Sequence, residues 1–264
     1  MMHENKGDSP PWVEVTGPKS RPGVLLISGL GGTAAFWSDV QDGLSDARRV
    51  LAYDQPGCGS RPPPKGCLDI EALAKDAAAV ALAHLGEGPW TVIGHSTGGT
   101  IAQALATAHP EQIDALVLSG TWLRPDAYMR ALFAYRSRLL IVAPDLSAGL
   151  TALLTRPPDM IDADALAPGP TDAQTVAVTR DRIAALLAFD GTKGALTLHC
   201  PTLVLGAEDD RIVPPAHQRA LHEALAHSAL CMLCDGGHFY PRTRAARMVR
   251  LVTDWLERVD RPPT

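Results

Sequence analysis

The stretch WTVIGHSTGG, residues 90–99, constrains the fold of this chain more than any other. Its apolar first half predicts a buried strand, and the GTIAQALATAHP that follows predicts a helix. Gly94, Ser96 and Gly98 fit the pattern G-x-S-x-G at the turn between them. So sharp a turn strains its central residue and lifts that side chain clear of the sheet, and glycines two positions away avoid a collision. The pattern therefore predicts a reactive Ser96 hydroxyl at a helix N-terminus; the alternative is a plain glycine-rich turn.

The rest of the chain alternates short apolar runs with helical patterns. Several runs are apolar throughout, as in parallel strands that are covered on both faces. The final helix carries an apolar stripe within residues 248–259. This alternation predicts an α/β fold with a mostly parallel, doubly wound sheet. The strand candidates are Trp12–Val15, Val24–Ser28, Val50–Tyr53, Trp90–Gly94, Ala115–Ser119, Thr202–Gly206 and Ala229–Cys234.

One long segment interrupts the alternation. Residues 122–199 contain no good strand candidate, and their helical patterns are broken by two proline clusters. A connection of this length exceeds an ordinary loop between strand and helix. We therefore predict an inserted helical cap at 122–199 on a core formed by residues 1–121 and 200–264. The first dozen residues, which are polar, are predicted to be a frayed tail.

A serine nucleophile needs a base, and that base needs an acid to orient it. His238 lies in the glycine-rich CDGGHFYP, just past the last predicted strand, at the sheet edge where ligands gather in such folds. Glu208, Asp209 and Asp210 follow the strand before it. We predict a Ser96–Asp210–His238 triad. Glu208 and Asp209 are predicted to be solvated neighbours, and Asp209 is the alternative acid. His95, next to the nucleophile, is expected to pack rather than react.

The turn after the second strand has two interpretations. Gly29, Gly31 and Ala34 fit the dinucleotide fingerprint G-x-G-x-x-A, and Asp54 ends the next strand where a ribose-binding acid would lie. The same turn can instead aim backbone N–H groups at a developing oxyanion. A hydride-transfer enzyme has no use for a serine, an acid and a histidine in this order, so we favour the oxyanion turn and assign Asp54 to a structural loop.

Taken together, these motifs resemble the α/β-hydrolase superfamily from about Gly23 to Val259. The family's H-G-x-G turn reads Ser28-Gly29-Leu30-Gly31 here, and residues 53–61, YDQPGCGSR, match its D-x-x-G-x-G-x-S turn. The resemblance implies an α/β-hydrolase fold in which the N–H groups of Leu30 and Thr97 form the oxyanion hole. It implies neither a metal nor an organic cofactor.

Within that superfamily the sequence is similar to more than one subgroup. Residues 24–32, 53–59 and 120–140 look like aminoacrylate hydrolases of pyrimidine utilisation, which commonly carry alanine where this chain has Ser96. Small-molecule esterases and enol-lactonases share the G-H-S-[TM]-G-G elbow. We therefore expect a carboxylic ester or lactone as the substrate. A C–N or C–C bond hydrolase of a small catabolic acid is the alternative, and a non-catalytic ligand receptor on the same fold stays open.

The cap is expected to set specificity. Its aromatic residues and neighbouring ones are candidate pocket walls: Trp37, Trp122, Phe133 and Phe239. Four arginines lie in one cap segment, and a guanidinium suits a carboxylate; they are Arg124, Arg130, Arg136 and Arg138. We take Arg130 as the substrate-binding candidate, against the alternative of a solvated helix face.

Composition narrows the partners. The net charge of -5 argues against nucleic acid, and no apolar run is long enough for a membrane span. The five cysteines are an odd number with no sign of export, which favours reduced thiols in a cytoplasm. Cys231 and Cys234 form a lone C-x-x-C that we interpret as structural. We expect a monomer or homodimer acting on a small molecule.

Overall fold

Seven apolar runs form one sheet in the computed structural model, which describes residues 10–64, 66, 68–169 and 171–260. The predicted strands are all present, with ends displaced by at most two residues, whereas most of the predicted N-terminal tail lies outside the described residues. The strands are β1 (Val13–Thr16), β2 (Gly23–Ile27), β3 (Arg49–Tyr53), β4 (Trp90–His95), β5 (Ile113–Ser119), β6 (Thr202–Ala207) and β7 (Ser228–Leu233).

The sheet has the order β1-β3-β2-β4-β5-β6-β7. Only the edge pair β1–β3 is antiparallel, and the other neighbours run parallel. Parallel strands end at the same edge of a sheet, so the loops after β2, β4, β6 and β7 meet there. These are the loops that carry the predicted oxyanion turn, nucleophile, acid and base. The mostly parallel α/β fold is therefore confirmed.

Helices cover both faces of this sheet because the strands are apolar on both sides. Val24 and Leu26 belong to one core, with the helices α1 and α11, whereas Leu25 and Ile27 belong to the other, with α2 and α3. The helices are α1 (Ser38–Leu44), α2 (Ile70–Leu85), α3 (Thr97–Ala108), α4 (Ala127–Val142), α5 (Ser147–Thr155), α6 (Ala163–Leu166), α7 (Ala173–Ala188), α8 (Thr192–Ala195), α9 (Ala216–Ala224), α10 (Tyr240–Thr243) and α11 (Ala245–Val259).

Residues 122–199, the predicted cap, hold α4 to α8 and no strand among their described residues. Aspartates begin the two longest of these helices: Asp126 accepts from the Met129 N–H at 2.8 Å, and Asp172 from the Thr175 N–H at 2.8 Å. Within the described ranges, no helix combines the length and apolar character that a membrane crossing requires.

Candidate active site

Ser96 occupies a strained turn between β4 and α3. Its φ is +56°, and no other non-glycine residue in the described part of the chain has a positive φ. The flanking glycines are needed because a Cβ on Gly94 would lie 2.3 Å from the Gly98 carbonyl oxygen, and one on Gly98 would lie 2.0 Å from the Ile27 oxygen. The turn holds Ser96 at the first turn of α3, where the helix N–H groups are free.

His238 joins the serine to an acid. Its Nε2 lies 2.9 Å from Ser96 Oγ, and its Nδ1 lies 2.7 Å from Asp210 Oδ2. All three residues are buried. An ionised carboxylate only accepts hydrogen bonds, so Nδ1–H donates to Asp210 and Nε2 is left to accept the serine proton. The N–H groups of Ile212 and Val213 donate to Asp210 Oδ1 at 2.8 and 2.9 Å and fix the carboxylate.

Asp209 accepts hydrogen bonds from the backbone of the loop that carries His238. Its two carboxylate oxygens accept from the N–H groups of Gly236 and Gly237 at 3.2 and 2.9 Å. It is therefore neither a solvated neighbour nor a partner of the histidine ring, but the support of the loop that presents His238. Glu208 is exposed and pairs with Arg219 at 2.7 Å.

The predicted oxyanion turn is held from the cap side by Arg182 of α7, which sequence reasoning missed. Its Nε donates to the Leu30 carbonyl at 3.0 Å, and its Nη2 donates to the Gly29 carbonyl at 3.3 Å and to Gln55 Oε1. Gln55 in turn donates to the Ser28 carbonyl at 2.6 Å. Arg182 is buried, and among the described residues no carboxylate pairs with it.

Asp54, the acid of the dinucleotide fingerprint, is hydrogen-bonded to other residues of the protein. Asp54 Oδ1 accepts from the Ala34 N–H at 2.9 Å, and Oδ2 accepts from the N–H and hydroxyl of Ser60 at 2.8 and 3.2 Å. These bonds tie the turn after β3 to the turn after β2, as expected of a structural loop residue.

His95 packs beside the base without bonding the nucleophile. Its ring centroid lies 4.8 Å from that of His238. The His95 ring also stacks on the Phe36 ring, with 5.2 Å between their centroids. Its Nδ1 lies 3.0 Å from Ser119 Oγ, which lies 2.6 Å from the Tyr240 hydroxyl. Burial, followed by the neighbouring His238, holds the pKa of His95 well below its usual range.

A cleft of about 570 Å³ opens above Ser96 and His238. Of the predicted pocket walls, Phe133 and Phe239 line it. Trp37 and Trp122 do not: both are fully buried, Trp37 in the core beneath α1 and α11 and Trp122 in the core with α2 and α3. Burial of their large apolar rings in the two cores accounts for this placement. Phe36, next to Trp37, lines the cleft instead.

The four cap arginines do not share one surface. Arg130, the predicted substrate-binding residue, is exposed, donates to the Leu187 carbonyl at 3.1 Å and lines a separate depression with Arg124. Arg138 is also exposed. Only Arg136 lines the cleft, because it lies on another side of α4 from Arg130. Arg130 therefore lies outside the cleft that Ser96 faces, and of the four arginines named from the sequence Arg136 is the one at the site.

The cap also contacts the base loop. The Thr155 carbonyl at the end of α5 accepts from the Phe239 N–H at 2.9 Å, next to His238. Together with Arg182, this contact bonds the cap to two of the loops that surround Ser96.

The described residues contain no group of three or more His, Cys, Asp or Glu side chains placed to hold a metal ion. Cys231 lies in β7 and Cys234 follows its end, both as free thiols, as are Cys58 and Cys200. Cys67 lies outside the described residues.

Comparison with known proteins agrees with this architecture. Residues 22–141 match the family of the alpha/beta hydrolase fold. RutD of Variovorax paradoxus, whose name proposes a carbamate hydrolase, is 36% identical over 94% of this chain and 97% of its own length. RutD of Azorhizobium caulinodans is 30% identical over 91% of this chain and 92% of its own.

Solved structures share the fold. A thermophilic esterase from Thermogutta terrifontis with malate bound has a TM-score of 0.80 and 25% identity, covering 94% of this chain and 93% of its own. The enol-lactonase from Burkholderia xenovorans has a TM-score of 0.81 and 24% identity over 93% and 95% of the two chains, a likeness of fold alone.

Proposed function

The chain belongs to the α/β-hydrolase superfamily, and on that premise we propose that it is a serine hydrolase that cleaves a small acyl substrate through Ser96, His238 and Asp210. The observation that carries the proposal is the continuous set of hydrogen bonds from Ser96 Oγ through His238 to Asp210. Packing alone does not account for this arrangement, because Ser96 keeps a strained backbone conformation in the position that presents its hydroxyl to His238.

In the proposed reaction Ser96 Oγ attacks the acyl carbonyl while His238 Nε2 takes its proton. Asp210 stabilises the imidazolium that forms. His238 then protonates the leaving group, which departs as the acyl-enzyme forms. Water, deprotonated by His238, attacks that acyl-enzyme, and the acid product leaves with Ser96 restored.

We assign the N–H groups of Leu30 and Thr97 to the oxyanion. The hydrogen bond from Arg182 to the Gly29 carbonyl supports the direction in which the Leu30 N–H points. The Gly29–Leu30 peptide is trans, so its C=O and N–H point in opposite directions. Since the Gly29 carbonyl is held by Arg182, the Leu30 N–H points away from the guanidinium. Gly29 itself lies against the nucleophile, because a Cβ there would be 3.0 Å from the Ser96 Cβ.

A carboxylic ester or lactone is the substrate that we favour. The 25% identity and matching fold of the Thermogutta terrifontis esterase support an ester, and an activated serine is suited to this bond. The names of the RutD relatives favour a second candidate, the carbonyl–nitrogen bond of a carbamate. The same acyl-transfer steps serve it, with an amine as the leaving group.

The test of the nucleophile is the intact mass of the protein after treatment with a fluorophosphonate, on wild type and three variants. We expect one adduct on wild type, none on Ser96→Ala and slow labelling of His238→Ala. Ser147→Ala is the matched control, because Ser147 also lines the cleft but its hydroxyl is hydrogen-bonded to no histidine in the described ranges. Loss of the adduct in Ser147→Ala with retention in Ser96→Ala would overturn the assignment.

Turnover separates an enzyme from a receptor. A panel of small esters, lactones and carbamates, assayed with wild type and Ser96→Ala, should give hydrolysis that depends on Ser96. Carbamates cleaved faster than every ester and lactone would establish the second candidate instead. A labelled protein that hydrolyses none of them would favour a ligand receptor.

A further inference from the structure

The cleft has two walls of different chemistry. On the sheet side it is formed by Ser96, His238 and the turn at 28–33, which the proposed mechanism uses. On the cap side it is formed by α4, α5 and α7. No step of the proposed reaction uses the cap wall, so its side chains are free to recognise the part of the substrate that does not react.

Arg136 is the unusual member of the cap wall. Its Nη2 donates to Thr151 Oγ1 at 3.1 Å, and its guanidinium lies 5.2 Å from the centre of the Phe133 ring. Thr151 is the one hydrogen-bond acceptor that the described residues offer this side chain, although a guanidinium carries five N–H donors. Most of its hydrogen-bonding capacity is therefore unused by the protein.

Arg136 lacks an acidic partner in the described part of the chain, where no carboxylate forms an ion pair with it. Burial lowers the pKa of Arg136 to about 10, which leaves it charged at neutral pH. The other charged groups on the cleft are Arg156, which adds a second positive charge, and Asp164, which is exposed on α6. Arg136 is half-buried, and the cleft holds more positive than negative charge, so a ligand that supplies an anion would give this cation the partner it lacks.

Apolar side chains line the cleft as well. They are Phe36, Phe133, Leu140, Ile212 and Phe239. A short hydrocarbon chain fits between such residues, and a planar carboxylate matches a guanidinium through two parallel hydrogen bonds.

We propose that Arg136 binds a carboxylate at the end of the substrate remote from the bond that Ser96 attacks, so that the substrate is a monoester or lactone of a small dicarboxylic acid. This inference rests on the proposed function for the reacting end. It narrows the role expected of the cap arginines to Arg136, which binds a carboxylate. The substrate would then lie with its carboxylate at Arg136 and its reacting bond at Ser96.

Binding is tested apart from catalysis. Linear dicarboxylates from succinate to pimelate, and their diamides, are titrated calorimetrically into Ser96→Ala protein with and without Arg136→Met. At least one dicarboxylate should bind, its diamide should bind roughly 10- to 100-fold more weakly, and Arg136→Met should remove that difference. Arg130→Met is the matched control, since Arg130 lies on the same helix outside the cleft, and it should keep the preference.

Catalysis is then tested with 4-nitrophenyl esters whose acyl chains end in a carboxylate or in the corresponding amide. Wild type should favour the carboxylate in kcat/KM, chiefly through KM, and Arg136→Met should lose that preference while it still cleaves the amide ester. Arg136→Lys, which keeps the charge without the planar fork, should be intermediate and serves if the methionine variant does not fold.

The two ideas fail in different ways. Dicarboxylates that bind no better than diamides, or equally well without Arg136, overturn the carboxylate site even if esters are hydrolysed. Arg136-dependent binding with no ester, lactone or carbamate turnover overturns the proposed function and leaves the anion site standing.

Discussion

Asp209 and Asp210 are adjacent in the chain, yet their carboxylates hold the base loop at two different places. Asp210 Oδ2 lies 2.7 Å from the ring nitrogen of His238, whereas Asp209 accepts from the backbone N–H groups of Gly236 and Gly237. One carboxylate orients the reacting ring, and its neighbour orients the peptide that carries it.

This division predicts different defects for two nearly identical substitutions. Asp210→Asn should lower kcat by about 10⁴-fold, because an amide cannot stabilise the imidazolium and favours the wrong tautomer. Asp209→Asn should cost about 1–3 kcal/mol in the free energy of unfolding through its weakened bonds to two N–H groups, with a far smaller loss in kcat. Steady-state kinetics and denaturant unfolding of both variants check this. Equal kcat losses would contradict it.

Replacing Arg182 should impair both the reaction and the fold. Methionine fills similar space, but three acceptors lose their donor, so we expect the free energy of unfolding to fall by about 1–3 kcal/mol. The Gly29 and Leu30 carbonyls then lose their donors, so the Leu30 N–H is no longer held in place. We expect kcat to fall by about 10- to 100-fold, less than the loss of a whole oxyanion donor, with KM little changed.

The control for Arg182→Met is Arg180→Met, which removes an exposed arginine from the same helix. It should leave kcat and KM as in wild type. A folded Arg182→Met protein with wild-type kcat would show that the oxyanion turn does not depend on this side chain.

An added methyl group should destabilise the protein at Gly94 but have little effect at Gly31. In Gly94→Ala the new Cβ would lie 2.3 Å from a backbone oxygen, so we expect a loss of about 1–3 kcal/mol or more in the free energy of unfolding. In Gly31→Ala no atom of a non-neighbouring described residue lies within 4 Å of the new Cβ, so stability should be nearly unchanged. Thermal unfolding of the two variants measures this, and equal shifts in Tm would refute the steric account.

His95 should make the protein less stable in mild acid. Its folded pKa is depressed, so below about pH 6.5 the unfolded chain binds a proton at this position that the folded chain does not. The stability is present above that pH and decreases as the pH falls towards the folded pKa, by up to about 1.4 kcal/mol for each pH unit.

The check is urea unfolding across this pH range. His95→Asn should show a shallower decline in acid than wild type, whereas His109→Gln, at an exposed position, should keep the wild-type slope. An unchanged slope in His95→Asn would mean that other groups cause the decline.

Local patterns predicted the strands and the turn at Ser96 because those features depend on neighbouring residues. Strand ends fell within two residues, and the positive φ of Ser96 follows from the glycines around it. The choice of Asp210 over Asp209 rested on chain order alone, since both follow β6 and only the folded loop distinguishes them.

Long-range contacts were beyond such reasoning. The carbonyls that Arg182 holds are 152 and 153 residues away in sequence, and nothing local sets this arginine apart from Arg180. Trp37 and Phe36 are adjacent aromatics, and which one faces the cleft depends on the packing of α11 beneath them. Residues six apart on an α-helix point in clearly different directions, so Arg136 and Arg130 could have been assigned to different sides of α4 from the sequence. The start of that helix was also predictable, because Asp126 is a typical N-cap residue.

The bonds from Arg182 and Thr155 to the loops around Ser96 matter for protein engineering. They mean that residues 122–199 are not an interchangeable module that can be exchanged to alter selectivity. A chimera with a relative's cap would inherit new pocket walls together with new supports for the Gly29–Leu30 peptide and for the loop at Phe239. Its designer should therefore transplant the cap with both contact residues kept in register, or redesign the cleft in place on α4 and leave Thr155 of α5 and Arg182 of α7 untouched.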